Sequence, residues 1–184
     1  MSDILERLKR LEEKFVEPAF LTNKGLSNEV GIYVFAYSPK DELVVRDFVK
    51  HVSRKKDKFN IVEKDLYEIL LTICDEKKIT KAIPTMEEKK GKAYIETQLR
   101  NVATVESFIS KMEYEPHNYG DILLITGVGK VYPFMRTHSL LESIQDHFQD
   151  MPIVVLYPGE YDGQKLVLFD KFFDDNHYRS FNIV

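Results

Sequence analysis

The chain has 184 residues, of which 43% are hydrophobic and 30% are charged, so it is long enough to fold as one globular domain with a sizeable core. Its net charge of -4 argues against a generally basic nucleic-acid binder. The single cysteine, Cys74, excludes an intramolecular disulfide, and its apolar neighbours predict a buried helical thiol.

The hydropathy pattern contains no targeting or membrane signal. No apolar run approaches the length that spans a bilayer, and the N-terminus is charged and amphipathic instead of resembling a signal peptide. We therefore expect a single domain over residues 1–184, located in the cytoplasm and without membrane contact.

The N-terminal segment has the pattern of an amphipathic helix. Asp3 and Glu6 have capping-box spacing, and four apolar residues recur at helical intervals: Ile4, Leu8, Leu11 and Phe15. We expect this apolar face to pack on the core. A docking helix for a partner protein is the alternative.

Two strand-helix units follow. The apolar run 31–37 predicts a strand covered on both faces. Ser38, Pro39 and Asp41 predict a helix start, after which the residues expected to face inward are Leu43, Val44, Phe48 and Val52.

The second unit consists of a short strand over 59–62 and a helix that Asp65 and Glu68 begin. Right-handed crossovers would lay the two strands parallel, with helices against the sheet. From about 78 to 118 the pattern changes to helical periodicity with a charged stretch, which predicts a helical excursion between strands.

The third part of the chain has the clearest strand-turn-helix pattern. Residues 122–125 predict a buried strand that ends at glycines, and Ser139 with Glu142 predicts a capped helix ending near Gln149. Another buried strand, 153–157, is followed by a predicted turn at 158–163, and two short strands are expected near 165–169 and 179–184. The fold class expected is α/β, a three-layer Rossmann-like or RecA-like domain whose mainly parallel central sheet is flanked by helices.

The segment Gly127-Val-Gly-Lys130 resembles part of a phosphate-binding loop but lacks two required residues. The signature needs a glycine five residues before the Gly-Lys pair and a Ser or Thr directly after the lysine, where Leu124 and Val131 stand. The dinucleotide fingerprint fails too, because Pro133 and Phe134 stand near the position of its third glycine. The sequence therefore predicts no intact phosphate loop and no bound cofactor.

Ligands of parallel α/β sheets bind beyond the carboxyl ends of the strands, so the residues that follow these strands are expected to share one rim. This candidate interaction rim comprises Gly127, Gly129, Lys130, Tyr132, Arg136, His138, Glu160, Tyr161 and Asp162. It suits recognition of an anion or a peptide. The alternative is structural, with the glycines serving turn geometry and Arg136 pairing with Glu160 or Asp162 to fasten two loops.

A catalytic or metal role has little support in the sequence. His138 and Glu142 lie one helical turn apart, but no third ligand at suitable spacing and no paired nucleophile accompanies them. We therefore expect no catalytic residues and no metal site.

Three motifs together resemble one known family. They are the run from Leu123 to Leu141, the run Val155-Leu-Tyr-Pro-Gly-Glu-Tyr-Asp-Gly-Gln164, and the terminal Asp174-Asp-Asn-His-Tyr-Arg-Ser-Phe181. The chain resembles the BrxB family of bacteriophage exclusion (BREX) systems over nearly its whole length. The resemblance implies antiviral defence in the bacterial cytoplasm beside a BREX ATPase, a DNA methyltransferase and the PglZ phosphatase-like protein.

The resemblance brings no catalytic residue with it. The function expected is a non-catalytic assembly or adaptor component that binds another BREX protein, with PglZ as the first choice and an indirect association with DNA through such partners. One alternative is a degenerate nucleotide- or phosphate-binding protein that uses Lys130, Arg136 and the 127–129 turn. Another is a DNA-contacting subunit that uses the basic segment 50–58.

Overall fold

Five strands form the central sheet of the fold, in the order β2-β3-β4-β1-β7. The computed structural model describes residues 3–23, 31–56, 58–174 and 180–184. All pairings along this order are parallel, which confirms the predicted mixed α/β fold with a mainly parallel sheet. The strands are β1 (Ile32–Tyr37), β2 (Asn60–Asp65), β3 (Asp121–Thr126), β4 (Ile153–Tyr161), β5 (Leu166–Leu168), β6 (Phe172–Asp174) and β7 (Phe181–Asn182).

Helices connect the strands and cover the sheet. Within the described residues the α-helices are α1 (Asp3–Phe15), α2 (Pro18–Leu21), α3 (Glu42–Val52), α4 (Leu66–Glu76), α5 (Ile83–Lys90), α6 (Lys92–Val102), α7 (Val105–Met112), α8 (Val128–Val131) and α9 (Thr137–Ile144), and short 3₁₀ helices span Pro39–Asp41 and Thr80–Ala82. The predicted helical excursion at 78–118 contains α5, α6 and α7. The assignments to a single domain and to a Rossmann-like or RecA-like class stay predictions.

Alternate residues of the central strands enter two separate apolar cores. Leu123 and Ile125 of β3 face a core built with α4, α6, α7 and α9. Ile122 and Leu124 face the opposite core, which α1, α2 and α3 complete. Because successive side chains of a strand point to opposite faces, this division places helices on both sides of the sheet. The predicted apolar face of α1 is buried, and so is Cys74.

Two helices differ from their prediction. In α3 the buried stripe is Val45, Val49 and Val52, whereas Leu43 is 72% exposed and Val44 is 36% exposed, so the expectation that both face inward was wrong. The register of the stripe depends on where the helix meets the sheet, which the local pattern did not specify. The helix predicted from Ser139 begins instead at Thr137 and ends at Ile144, so Ser139 is an interior residue and not its cap.

The predicted turn at 158–163 was wrong over residues 158–161, because β4 continues to Tyr161. After Pro158, β4 leaves the parallel sheet and pairs with β5 in antiparallel register, with Gly159 opposite Leu168 and Tyr161 opposite Leu166. The strand β6 then pairs with β5. This second, antiparallel sheet projects from the carboxyl end of β4. Residues 175–179, which belong to the terminal motif, lie outside the described residues.

A buried carboxylate anchors the amino end of β3. Asp121 is 3% exposed and accepts hydrogen bonds from the Asn60 side chain at 2.8 Å, the Asn118 backbone N–H at 2.9 Å and the Tyr114 hydroxyl at 3.0 Å. Burial opposes ionisation of this carboxyl, but the hydrogen bonds outweigh burial and hold the pKa of Asp121 below its ordinary value.

The two-sided core makes a stability prediction. Phe35 is fully buried in β1, and replacing it with alanine leaves a cavity between β1 and the α1–α3 layer. We expect Phe35→Ala to lower the free energy of unfolding by about 3–5 kcal/mol, measured by urea denaturation. Phe173→Ala, at a side chain that is 79% exposed, is the matched control and should change it by about 0.5 kcal/mol or less. Equal losses would contradict the assigned burial.

The Asp121 cluster predicts a pH-dependent effect. We expect Asp121→Asn to lower the free energy of unfolding at pH 7 by about 1–3 kcal/mol, because the carboxylate's hydrogen bonds are lost or mismatched. Because the pKa of Asp121 is lower in the folded protein than in the unfolded chain, the ionised carboxylate stabilises the fold at pH values above its unfolded pKa of about 3.9. This stabilisation is lost as the pH falls through the folded-state pKa. The difference between Asp121→Asn and the unaltered protein should therefore shrink below about pH 4. The exposed substitution Asp146→Asn serves as control, and a difference that stays constant with pH would contradict the assignment.

Candidate functional site

The carboxyl ends of β1, β2 and β3 and the end of the parallel part of β4 converge on one surface depression, which we call the charged groove. It consists of two adjoining cavities of about 250 and 200 Å³. The residues that line both cavities are Tyr37, Glu42, Arg46, Gly127 and Lys130. This is the edge of a parallel sheet at which ligands bind in other α/β folds.

Asp65 joins two of these strand ends. One oxygen of its carboxylate caps α4 by accepting hydrogen bonds from the backbone N–H groups of Tyr67 at 2.9 Å and Glu68 at 3.3 Å, as the sequence predicts. The other oxygen binds the ammonium group of Lys130, which follows β3. The Lys130 ammonium also lies 5.7 Å from the centre of the Tyr67 ring. Lys130 therefore fastens the end of β3 to the start of α4.

The two glycines beside Lys130 are required by close contacts. Gly127 has φ +74°, and a Cβ atom there would lie 2.2 Å from an Asp65 carboxylate oxygen. A Cβ atom on Gly129 would lie 2.6 Å from the Phe169 ring. The Gly-Val-Gly-Lys segment thus has a structural explanation in this fold, because both glycines make room for groups from neighbouring segments.

The other charges of the groove are also paired. Glu42 accepts hydrogen bonds from the Tyr37 hydroxyl at 2.6 Å and from Arg46 Nε at 2.9 Å, and Glu63 accepts one from Thr126 at 2.8 Å. Burial, reinforced by the Glu42 carboxylate, raises the pKa of Tyr37. A phosphate entering this groove would have to compete with carboxylates already bound to Lys130 and Arg46.

A second depression, which we call the aromatic groove, lies between the antiparallel sheet and the segment joining α8 to α9. It has a volume of about 410 Å³, and its lining residues include Tyr132, Met135, Arg136, Lys171, Phe172 and Phe173. The Tyr132 and Phe172 rings pack with their centres 4.9 Å apart. Phe172 is 45% exposed and Phe173 is 79% exposed. The groove therefore presents aromatic surface to solvent beside two cationic side chains.

Five of the nine residues of the predicted rim line the two grooves. Gly127, Gly129 and Lys130 line the charged groove, while Tyr132 and Arg136 line the aromatic groove. The two grooves adjoin at Val128, which lines both.

The remaining rim residues line neither groove. His138 lies in the first turn of α9, with Nε2 3.2 Å from a Glu142 oxygen. Glu160 is exposed on the antiparallel part of β4. Tyr161 is buried, and its hydroxyl donates to the Ser180 carbonyl at 2.7 Å.

Asp162 has a local structural role. It accepts hydrogen bonds from the backbone N–H groups of Gln164 and Lys165 at 2.8 and 2.7 Å, which hold the turn before β5 and lower the pKa of Asp162. Among the described residues no ion pair joins Arg136 to Glu160 or Asp162, so the alternative of such a fastening was wrong for the described structure.

The sequence reasoning missed Lys171, Phe172 and Phe173. Two adjacent phenylalanines between Lys171 and Asp174 were an available signal, because successive strand residues face opposite sides of a sheet and a small hairpin cannot bury both.

The described parts of the chain contain neither a metal-binding cluster nor a membrane-spanning helix. No group of three or more His, Cys, Asp or Glu side chains is arranged to hold a metal ion there. In the same ranges no helix combines the length and the apolar character needed to cross a bilayer.

Comparison with known proteins decides the family. The model of the family described as "BREX protein BrxB" matches residues 62–183. A BREX protein BrxB of Bacillus cereus (strain H3081.97) is 36% identical over 190 residues, which cover 100% of this chain and 99% of the relative. The chain belongs to the BrxB family of BREX phage-defence proteins.

A more distant relative agrees with this assignment. The BREX protein BrxB of Escherichia coli O9:H4 (strain HS) is 29% identical over 184 residues, covering 97% of this chain and 90% of the relative. No solved structure matches the chain. The resemblance stated from the sequence motifs is therefore confirmed.

The packing of Gly127 against Asp65 generates a prediction. Gly127 has φ +74° and ψ +11°, a left-handed conformation that alanine can adopt, so the main cost of Gly127→Ala should come from the Asp65 carboxylate beside the added methyl group. We expect Gly127→Ala to lower the free energy of unfolding by about 1–3 kcal/mol more in the unaltered protein than in the Asp65→Ala background, because the Asp65 cap must move only where the carboxylate is present. Urea denaturation of the single and double variants measures the difference, and equal losses in both backgrounds would contradict the assigned contact.

Proposed function

We propose that this protein is a non-catalytic assembly component of its BREX system and that it binds another BREX protein through the aromatic groove. Membership of the BREX system implies other BREX proteins as partners. The PglZ phosphatase-like protein is the first partner to test, and the proposal includes the cytoplasmic location that the family resemblance implies.

The aromatic groove is the observation that carries this proposal. Tyr, Phe, Met and Arg are the residue types enriched in the cores of protein interfaces, and the groove combines Tyr132, Met135, Arg136, Phe172 and Phe173. Two of these side chains expose a large fraction of their apolar surface to solvent, and a partner that covered them would gain hydrophobic stabilisation.

The charged groove gives less support to the nucleotide or phosphate alternative. Lys130 is bound to Asp65 and Arg46 to Glu42, and Lys50 pairs with Asp47 outside the groove. The pairing of these cations supports a structural role for the groove, because an anionic ligand would have to displace both carboxylates.

The DNA alternative has a similar difficulty. In the basic segment 50–58, Lys50 pairs with Asp47 at 3.1 Å, and Lys55 is bound to Glu12. Neighbouring acids reduce the positive potential that attracts a phosphate backbone. Direct DNA contact through this segment is therefore the weaker proposal.

Co-purification tests the proposed function. The tagged protein is expressed together with each other product of its operon, beginning with the PglZ-type protein, and retained products are identified by mass spectrometry. We expect one product to be retained and the doubly substituted Tyr132→Ala, Arg136→Ala protein to bind it at least about tenfold more weakly, because Tyr and Arg often dominate interface energies.

The control carries Tyr119→Ala and Arg10→Ala, which alter exposed residues of the same types outside both grooves. Its affinity should match that of the unaltered protein. Retention of no operon product would refute the assembly role, and equal weakening by the two double variants would refute the choice of groove.

A further inference from the structure

The aromatic groove borders the outer edge of a β-strand. Both Phe172 and Phe173 line it, although side chains of successive strand residues point to opposite faces of a sheet. A groove that touches both must run along the side of β6 and not lie only on one face of the sheet. Within the described residues β6 pairs with β5 alone, so the side of β6 away from β5 has no strand beside it.

The hydrogen bonds of the antiparallel sheet give the direction of the Phe173 backbone groups. Phe169 N–H donates to the Pro158 carbonyl at 2.9 Å, and Asp162 N–H donates to the Lys165 carbonyl at 3.3 Å. Bonded pairs therefore alternate along β4 and β5, and Val167 directs its backbone groups toward β4. Leu166 and Leu168 direct theirs toward β6.

The same alternation applies to β6. Val167 lies opposite Phe173, and because the Val167 backbone groups face β4, this pair is not hydrogen-bonded. The N–H and C=O groups of Phe173 consequently point away from β5, toward the outer edge. An exposed strand edge of this kind presents the donor and acceptor that an added strand needs.

The charge of the groove indicates what kind of segment would bind. Arg136 and Lys171 are the charged side chains among its described lining residues, and no described acidic side chain lines it. An acidic segment would therefore be favoured over a basic one. Phe172, which is 45% exposed and packs on the half-buried Tyr132 ring, offers apolar surface for one side chain of such a segment.

We propose that an extended acidic segment of the partner protein adds to β6 as a further strand, exchanging backbone hydrogen bonds with Phe173 while its carboxylates bind Arg136 and Lys171. Strand addition takes affinity from backbone bonds and selectivity from alternate side chains, which fits an edge flanked by an aromatic surface and two cations. The proposal rests on the proposed function, since it names how the same groove takes its partner.

Amide hydrogen exchange of the complex tests this directly. The probe is the operon product retained in co-purification, added to the full-length protein, with exchange followed residue by residue by NMR. We expect the Phe173 amide to exchange rapidly in the free protein and at least about tenfold more slowly in the complex, because it gains a hydrogen bond. The Phe169 amide, already bonded to Pro158, is the internal control and should change little.

Two substitutions of Phe173 distinguish the contribution of its backbone N–H to binding from that of its phenyl ring. Phe173→Ala removes the ring and keeps the N–H, whereas Phe173→Pro removes both, and proline is tolerated on an edge strand whose N–H faces outward. We expect Phe173→Pro to bind the partner about tenfold more weakly than Phe173→Ala, with thermal unfolding showing that both variants are folded. If Phe173→Pro does not fold, the exchange measurement decides alone.

Charge reversal tests the chemistry of the segment. Arg136→Glu with Lys171→Glu should weaken binding by at least about tenfold, and the affinity of the unaltered protein should fall as salt is raised. Reversal of the exposed Arg10 and Lys9 on α1 is the matched control and should leave the affinity unchanged.

The outcomes distinguish the two proposals. Retention of a partner with no slowing at Phe173, or with equal binding by the Ala and Pro variants, overturns strand addition and leaves the assembly role standing. Concentration-dependent self-association that Phe173→Pro abolishes would identify a second copy of this chain as the occupant and would likewise overturn it. Failure of every operon product to bind removes the proposed function and, with it, this inference.

Discussion

Burial of β3 on both faces is the constraint on which the rest of the structure depends. All six residues of this strand are buried, and its side chains alternate between the two apolar cores. A strand covered in this way can place polar groups only at its ends. At the amino end Asp121 is held by three neighbours, and at the carboxyl end the chain turns into the charged groove.

The charged groove illustrates how a motif that suggests ligand binding can have a structural explanation. The Asp65 carboxylate caps α4 with one oxygen and binds Lys130 with the other, and Gly127 leaves the space that this carboxylate occupies. One carboxylate thus accounts for the glycine and the lysine together. Glu42 binds both Arg46 and the Tyr37 hydroxyl, so the two cations that line both cavities, Lys130 and Arg46, are each compensated by a carboxylate of the groove.

The aromatic groove arises from the departure of β4 from the parallel sheet. After Pro158 this strand continues outward and pairs with β5, which in turn pairs with β6. Phe172 and Phe173 of β6 therefore lie beside the segment that follows α8. The extension has little sequence in which to build its own core, so part of its aromatic surface stays exposed. That exposed surface, with Arg136 and Lys171 beside it, is the basis of the assembly role proposed for this BrxB-family protein.

The sequence by itself determined the features that depend on local pattern. Apolar runs identified β1, β3 and the parallel part of β4, and located the start of β2, whose second half is polar. The Asp65 cap was readable from its neighbours, and the motifs around Gly127 and Pro158 identified the family. Only the tertiary structure decided which strands are adjacent, that α3 buries Val45 and exposes Leu43, and that β4 runs past its predicted end. It also placed five of the nine rim residues in two grooves and the other four outside both. The physical reason is that pairing partners, helix register and groove shape depend on contacts between residues far apart in the chain, whereas caps and strand periodicity depend on neighbours within a few residues.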